Sequence, residues 1–388
     1  MYLLSSKKEE CTGCTACMNI CPKNAIEMKT DEEGFTYPFI NKEKCIKCKL
    51  CENVCPNVKS INTKSAVKSY AVKHLDLQER KTSSSGAMFI AISDYILNYS
   101  GVVYGAAFDE KFRVVHKRAK TKEQRDEFKK SKYVQSDMGE IFKQVKQDLA
   151  DDRLVLFSGT PCQVDGLKNY LHNENIEKLY TCDLVCHGVP SPKIYSDYLK
   201  YITHNYKNKL LSFNFRNKKY GWNSHYESYK LKNKAERTDL KYRELFYTNL
   251  ALRPSCYECN YSNLNRISDI TIGDFWGIEK KNSTFKDSDG VSLCIINSEK
   301  GKKLFENIKE NIECIETNIQ DSLQHNLVKP TQKPENRKEF WNDYTKNGFQ
   351  YIVKKYVPKI YDRNVNKYTW FASKVANKIK RIINKNGR

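Results

Sequence analysis

CTGCTACMNICP, residues 11–22, returns as CIKCKLCENVCP at residues 45–56. Each run places cysteines at x2, x2 and x3 spacing and closes on proline: Cys11, Cys14, Cys17 and Cys21, then Cys45, Cys48, Cys51 and Cys55. Thiolates are the soft ligands that hold iron-sulfur clusters, and one turning loop delivers three sulfurs to one cubane. The fourth cysteine of such a run ligates the neighbouring cluster. The expected sets are therefore Cys11, Cys14, Cys17 and Cys55 for one [4Fe-4S] centre, and Cys45, Cys48, Cys51 and Cys21 for the other. Zinc would be the rival ion for paired C-x2-C motifs, but two complete runs each ending in Cys-Pro argue against it.

Working outward, a segment as short as residues 1–62 buries too little apolar surface to fold without staples, and two clusters supply them. AIEMKTDEEGFTYPFI, after the first run, reads as a strand, a turn at Asp31–Gly34 and a second strand. Residues 59–68 read as a linker. The chain of 388 residues leaves room for one larger domain, expected over 63–345, and a basic C-terminal helical extension over 346–388.

The fifteen cysteines do not suggest a secreted disulfide protein, because eight sit at cluster spacings and no apolar leader is evident. A reducing, cytoplasmic setting is expected. The formal charge of +21 falls by about 2 for each thiolate-held [4Fe-4S]2+ core yet remains strongly basic. Anionic partners follow: an acidic ferredoxin or donor subunit, an anionic substrate or a membrane surface. A nucleic-acid role is disfavoured, since no reading module accompanies the charge and the 25 tyrosines and 17 phenylalanines. Residues 351–388 carry eleven Lys or Arg and one acidic residue, with Phe371, Val375, Ile379 and Ile382 near helical spacing. Such a segment packs on its own domain, lies peripherally on the inner face of a membrane, or docks an acidic partner.

The larger domain reads as a mixed α/β unit. A strand near Tyr70–Val72, a helix over 85–99, a strand at 101–108, a helix at 138–149 and strands at 153–157 and 179–185 alternate. The loops SGTPCQVDG (158–166) and CHGVPSP (186–192) fall at strand ends, where α/β sites form. A hairpin over 208–232 points to a mixed sheet. Cys256 and Cys259 supply two thiolates from one turn, and Cys162 and Cys186 would join them if their strands are neighbours; separate buried or reactive thiols are the alternative. Ser84, Ser85 and Gly86 precede a helix in an anion-binding arrangement or a plain cap. Lys132, Tyr133 and Ser136 form a compact polar group or a helix end. DITIGDFWG (269–277) sets Gly273 and Asp274 at another strand end, and His187 is the histidine nominated as proton donor.

Taken in order, SSSGAMF (83–89), KYVQS (132–136), LFSGTPCQVDGL (156–167), DLVCHGVPS (183–191), RPSCYEC (253–259) and DITIGDFWG resemble the coenzyme F420 hydrogenase/dehydrogenase beta-subunit family, in its form with an N-terminal two-cluster ferredoxin domain. The resemblance spans roughly residues 8–340. It implies a mixed-sheet FAD-binding domain behind the ferredoxin fold, with Ser84, Ser85, Gly86, Lys132, Tyr133, Ser136, Gly273 and Asp274 near the flavin. It also implies a third [4Fe-4S] cluster on Cys162, Cys186, Cys256 and Cys259, with Cys182 as substitute. The function it implies is an FAD-dependent iron-sulfur oxidoreductase that passes electrons from ferredoxin or a partner to an organic substrate, such as a glycan or sugar-nucleotide intermediate, with His187 and Asp274 as acid-base candidates. Rival readings are an F420-linked oxidoreductase and a non-catalytic electron-transfer subunit.

Overall fold

The computed structural model describes residues 7–58, 64–65, 68–205 and 207–357. Strands β1 (Ile26–Thr30) and β2 (Thr36–Ile40) pair antiparallel between the cysteine runs. Asp31 closes their turn by accepting from the N–H groups of Glu33 and Phe35 at 3.1 and 2.9 Å. Gly34, at φ 86°, lets this turn press against the larger domain, because a Cβ there would lie 2.3 Å from Lys193 Cβ. Within the expected 59–68 linker lies β3 (Lys64–Ser65), and the strand β4 (Lys68–His74) begins at its end.

The remaining strands are β5 (Val102–Phe108), β6 (Val114–Ala119), β7 (Val155–Gly159), β8 (Leu179–Leu184), β9 (Leu210–Asn217), β10 (Tyr226–Leu231), β11 (Arg237–Asp239), β12 (Asn265–Arg266), β13 (Ile270–Asp274), β14 (Ser292–Ile296) and β15 (Ile312–Thr317). Eight of them form one mixed sheet in the order β15-β4-β14-β13-β8-β7-β5-β6. Its centre, β13-β8-β7-β5, is parallel, and the flanking pairs are antiparallel. Helices cover both faces, as a parallel centre requires. Ile92 and Ile96 of the helix Met88–Asn98 pack with Val103 and Leu156 on one side. Phe142, Val145, Val164 and Leu167 pack with Val102, Tyr104 and Phe157 on the other.

Three expectations change. The hairpin at 208–232 exists, but β9 and β10 join β11 in a separate three-stranded sheet, so the mixed character of the main sheet comes from β4, β6, β14 and β15. Residues 158–166 are not all loop. Thr160 and Gln163 form a capping box, Pro161 occupies the first turn, and the helix Pro161–Tyr170 starts there. The helix Met88–Asn98 has no serine cap; Ala87 stands at its N-cap in a left-handed conformation.

Aromatic side chains dominate the core beneath the small sheet, including Tyr195, Tyr198, Phe213, Phe215 and Tyr242. Phe340, Tyr344, Phe349 and Ile352 of the helix Arg337–Tyr356 seal it. That helix crosses the expected boundary at 345 and breaks at Gly348 (φ 75°). Phe371, Val375, Ile379 and Ile382 lie outside the described residues. No helix among the described residues is long and apolar enough to cross a membrane.

Candidate electron-transfer and cofactor site

The two cysteine loops share a backbone plan and differ in surroundings. Gly13 and Thr15 in the first, and the equivalent Lys47 and Lys49 in the second, all have positive φ, so each loop turns the same way before its short helix. The first loop is packed under the larger domain: Gly13, Cys14, Thr15 and Ala16 are buried. A Cβ on Gly13 would lie 2.8 Å from Gln135 Nε2 and 2.9 Å from Arg253 Nη1. Glycine is demanded here by the neighbouring domain, not only by a cluster. Ile46, Lys47, Cys48, Lys49 and Leu50 of the second loop are exposed.

The thiols of Cys14 and Cys17 are pushed up by burial and by each other's neighbours, among which Cys11 and Cys55 figure for both. Cys51 has Cys48 as a neighbour, and Cys21 Sγ accepts from the N–H of Ala25 at 3.2 Å. No three His, Cys, Asp or Glu side chains among the described residues gather closely enough for a single metal ion. A cubane sits between its thiolates and holds them wider apart than one ion does, and an all-thiolate donor set suits iron-sulfur chemistry.

Four more cysteines converge from the parallel strand ends. Cys162 stands in the first turn of the helix after β7, and Cys186 follows β8. Cys256 and Cys259 come from the turn after Arg253, whose N–H donates to Val189 O at 3.0 Å. Val189 N–H lies 3.4 Å from Cys256 Sγ, binding the two loops together. Burial raises the thiols of Cys162 and Cys256 to about 11 and about 12, with Cys259 a neighbouring sulfur of both and Cys162 a further neighbour of Cys256. Cys186 is raised by burial and by Cys256, Cys162 and Cys259. Cys182 does not join them: it is buried inside the sheet in β8 with Cys294 as a neighbour. A cavity of about 200 Å³ is lined by Cys11, Cys14, Cys17 and Cys55 together with Cys162, Cys186, Cys256 and Cys259. The two groups meet where Gly166 faces Cys14, since a Cβ on that glycine would sit 2.9 Å from Cys14 Sγ.

A second cavity, of about 450 Å³, opens at the same edge of the sheet. Ser84, Ser85, Lys132, Tyr133, Ser136, Gly273, Asp274 and His187 line it. Gly86 does not; its N–H donates to Ser292 Oγ at 2.9 Å, and Val72 O leaves no room for a Cβ. Among the described residues Lys132 donates to the carbonyls of Glu127 and Lys129, both at 2.8 Å. Burial and the nearby Lys130 pull its ammonium down to about 7, and a nearby anion would favour its charged form. Thr160, Cys186, His187, Gly188 and Val189 line both cavities, so the four-cysteine group and the larger cavity share one wall.

Comparison with known families finds a 4Fe-4S dicluster domain at residues 10–58 and the C terminus of the coenzyme F420 hydrogenase/dehydrogenase beta subunit at residues 152–322. The protein joins a 4Fe-4S dicluster domain to an F420 hydrogenase/dehydrogenase beta-subunit domain. It is an iron-sulfur oxidoreductase related to that beta-subunit family. A chain of the xenon-derivatized F420-reducing [NiFe] hydrogenase complex from Methanosarcina barkeri aligns at 18% identity, over 76% of this chain and 93% of that chain, with a TM-score of 0.45. No curated protein matches.

All four converging cysteines fall within the matched part of the beta-subunit domain, whereas Ser84–Gly86 and Lys132–Ser136 precede it. Asp274 is held at both oxygens, by Arg216 at 2.5 Å and Trp222 Nε1 at 2.6 Å. His187 Nε2 meets Asn249 Oδ1 at 2.7 Å, and its ring packs on Phe246. Asp183, three residues before Cys186, is inside the sheet and pairs with Arg266 at 2.9 Å. Sequence reasoning overlooked Arg216, His116 and His225, which also line the larger cavity. The one signal for Arg216 was a cation placed among the alternating aromatics of LSFNFRN.

Proposed function

We propose that the larger cavity holds FAD and that Cys162, Cys186, Cys256 and Cys259 hold a third [4Fe-4S] cluster, completing a path from the dicluster domain to an organic substrate. The shared wall at Cys186–Val189 carries this reading, because it puts a four-thiol group and a ligand-sized cavity in direct contact. Bound there, the clusters would carry single electrons and the flavin would exchange them for two-electron chemistry. Lys132 offers an amine that an anionic ligand would hold protonated, and the Arg216–Asp274 pair adds fixed polar groups to the lining. With Nε2 of His187 donating to Asn249, a proton delivered from Nδ1 requires the imidazolium.

Electrons enter, in this reading, at the exposed loop around Cys48, where Lys47 and Lys49 flank the sulfur and Ile46 and Leu50 offer apolar contact. Those features suit an acidic ferredoxin or donor subunit. The beta-subunit match favours an F420-linked reaction over the glycan or sugar-nucleotide substrate first considered. The test is anaerobic purification with flavin extraction, followed by parallel reduction with ferredoxin, reduced F420, NADH and NADPH. Rapid bleaching of the flavin by reduced F420 supports the F420-linked form. Reduction by pyridine nucleotide alone would overturn the proposed donors.

A further inference from the structure

Arg253 is completely buried, yet no carboxylate among the described residues pairs with it. The two acids that share its surroundings at Tyr37 are already engaged, Asp31 by Lys8 and Glu33 by Arg337. Its guanidinium instead points into the first cysteine loop. Nε donates to Cys11 O at 2.8 Å, Nη1 to Gln135 Oε1 at 2.9 Å and Nη2 to Thr36 O at 3.0 Å, with Cys11 Sγ 3.7 Å from Nη2. The ring of Tyr37 lies 4.3 Å from the guanidinium carbon. The backbone of the same residue belongs to the other cysteine group: its N–H donates to Val189 O, and its carbonyl accepts from Cys256 N–H at 2.9 Å. Its charge acts on Cys162 and Cys256.

A desolvated cation costs several kcal/mol unless an anion answers it. The thiolate-held inner centre is the anion its guanidinium approaches through Cys11. Among the described residues no arginine or lysine hydrogen-bonds the sulfurs of Cys21, Cys45, Cys48 or Cys51. Hydrogen bonding to sulfur thus separates the two halves of the repeat, since the guanidinium reaches a sulfur of the inner set.

We infer that Arg253 is a positioning residue that raises the reduction potential of the inner centre, on Cys11, Cys14, Cys17 and Cys55. Each electron adds one negative charge to a centre when it arrives and removes it when it leaves. A fixed guanidinium at 3.7 Å from one ligand sulfur stabilises the reduced form of the inner centre. Local charge and hydrogen bonding to sulfur are the protein's levers on such potentials. The inference rests on the cluster assignments above.

Potentiometric titration followed by electron paramagnetic resonance, on the anaerobically purified full chain, tests it. In Arg253→Met the reduction equilibrium of one dicluster centre should fall about tenfold, ~59 mV for a one-electron couple, while the other stays put. Arg253→Lys, which keeps the charge, should retain most of the wild-type value. If Arg253→Met loses iron while Arg253→Lys stays fully loaded, the charge assignment is supported. Unchanged potentials in a fully loaded Arg253→Met, or equal defects in both variants, would overturn it. A wild-type count of about eight irons, four per cluster, would instead remove the four-cysteine centre and leave the titration of the inner one valid.

Discussion

Removing Glu33 should loosen the dicluster domain from the larger one by a predictable amount. Glu33 and Arg337 are each 8% exposed, and both carboxylate oxygens meet the guanidinium, one of them at 2.8 Å. In Glu33→Ala, Arg337 keeps the hydroxyl of Tyr257 at 3.1 Å, Leu252 O at 3.0 Å and the rings of Tyr257 and Trp341, but no carboxylate among the described residues. Breaking a buried pair this way costs about 3–5 kcal/mol, because a charge stays buried without its counterion. At about 1.4 kcal/mol per factor of ten, opening becomes roughly a hundred- to several-thousand-fold more frequent. Hydrogen exchange at Gly34 and Phe35, in the docked turn, measures it. The double variant Glu33→Leu/Arg337→Met should recover most of the loss, since an apolar pair of similar volume carries no desolvation cost. Exchange accelerated less than tenfold in Glu33→Ala, or no recovery in the double variant, would refute the reasoning.

Gly13→Ala should release iron: an L side chain at φ 71° meets Gln135 and Arg253, with left-handed strain of about 1–2 kcal/mol and overpacking of about 1–3 kcal/mol, whereas Lys47→Ala should leave the iron count unchanged. Lys132→Met should weaken flavin binding about ten- to a hundredfold in fluorescence titration, the equivalent of one charge-assisted contact. His116 is buried, and desolvation holds its imidazole down at about 4 from 6.5. The unfolded chain therefore binds a proton that the folded one refuses, so this contribution is present above pH 6.5 and is lost as pH falls toward 4. Denaturation curves should show roughly 2 kcal/mol of it disappearing between pH 7 and pH 5, and His116→Gln should flatten that slope.

The dicluster domain was legible because its chemistry fixes spacing: eight sulfurs, two loops and a proline after each. The strands that lead into Thr160 and Cys186 were legible too, since their apolar runs end abruptly in polar residues. What the sequence concealed was local competition and long-range pairing. SGTPCQVDG reads as loop from its Gly, Pro and Asp, but the Thr160–Gln163 capping box turns the same letters into a helix start. Gly86 reads as part of an anion-binding turn, and only the approach of Val72 and Ser292 reveals a packing glycine. Arg216 reaches the larger cavity from β9, a strand outside the main sheet, and Arg253 acts 242 residues away on Cys11. Neither distance is visible in a local pattern. The difference between the loops at Cys14 and Cys48 was present in the sequence as small residues against lysines, Ile46 and Leu50, but its meaning depended on which loop the larger domain covers.

The continuity of the path through the four-cysteine group is the central claim, and iron quantification with flavin photoreduction excluded tests it most directly. Wild-type protein purified anaerobically should hold about twelve irons, four per cluster, and its flavin should bleach when a low-potential donor reduces the dicluster domain. Cys256→Ser/Cys259→Ser should hold about eight and leave the flavin oxidised on the same time scale, with Cys294→Ser, buried in β14, behaving as wild type. Equal iron and equal flavin reduction in wild type and Cys256→Ser/Cys259→Ser would contradict the account.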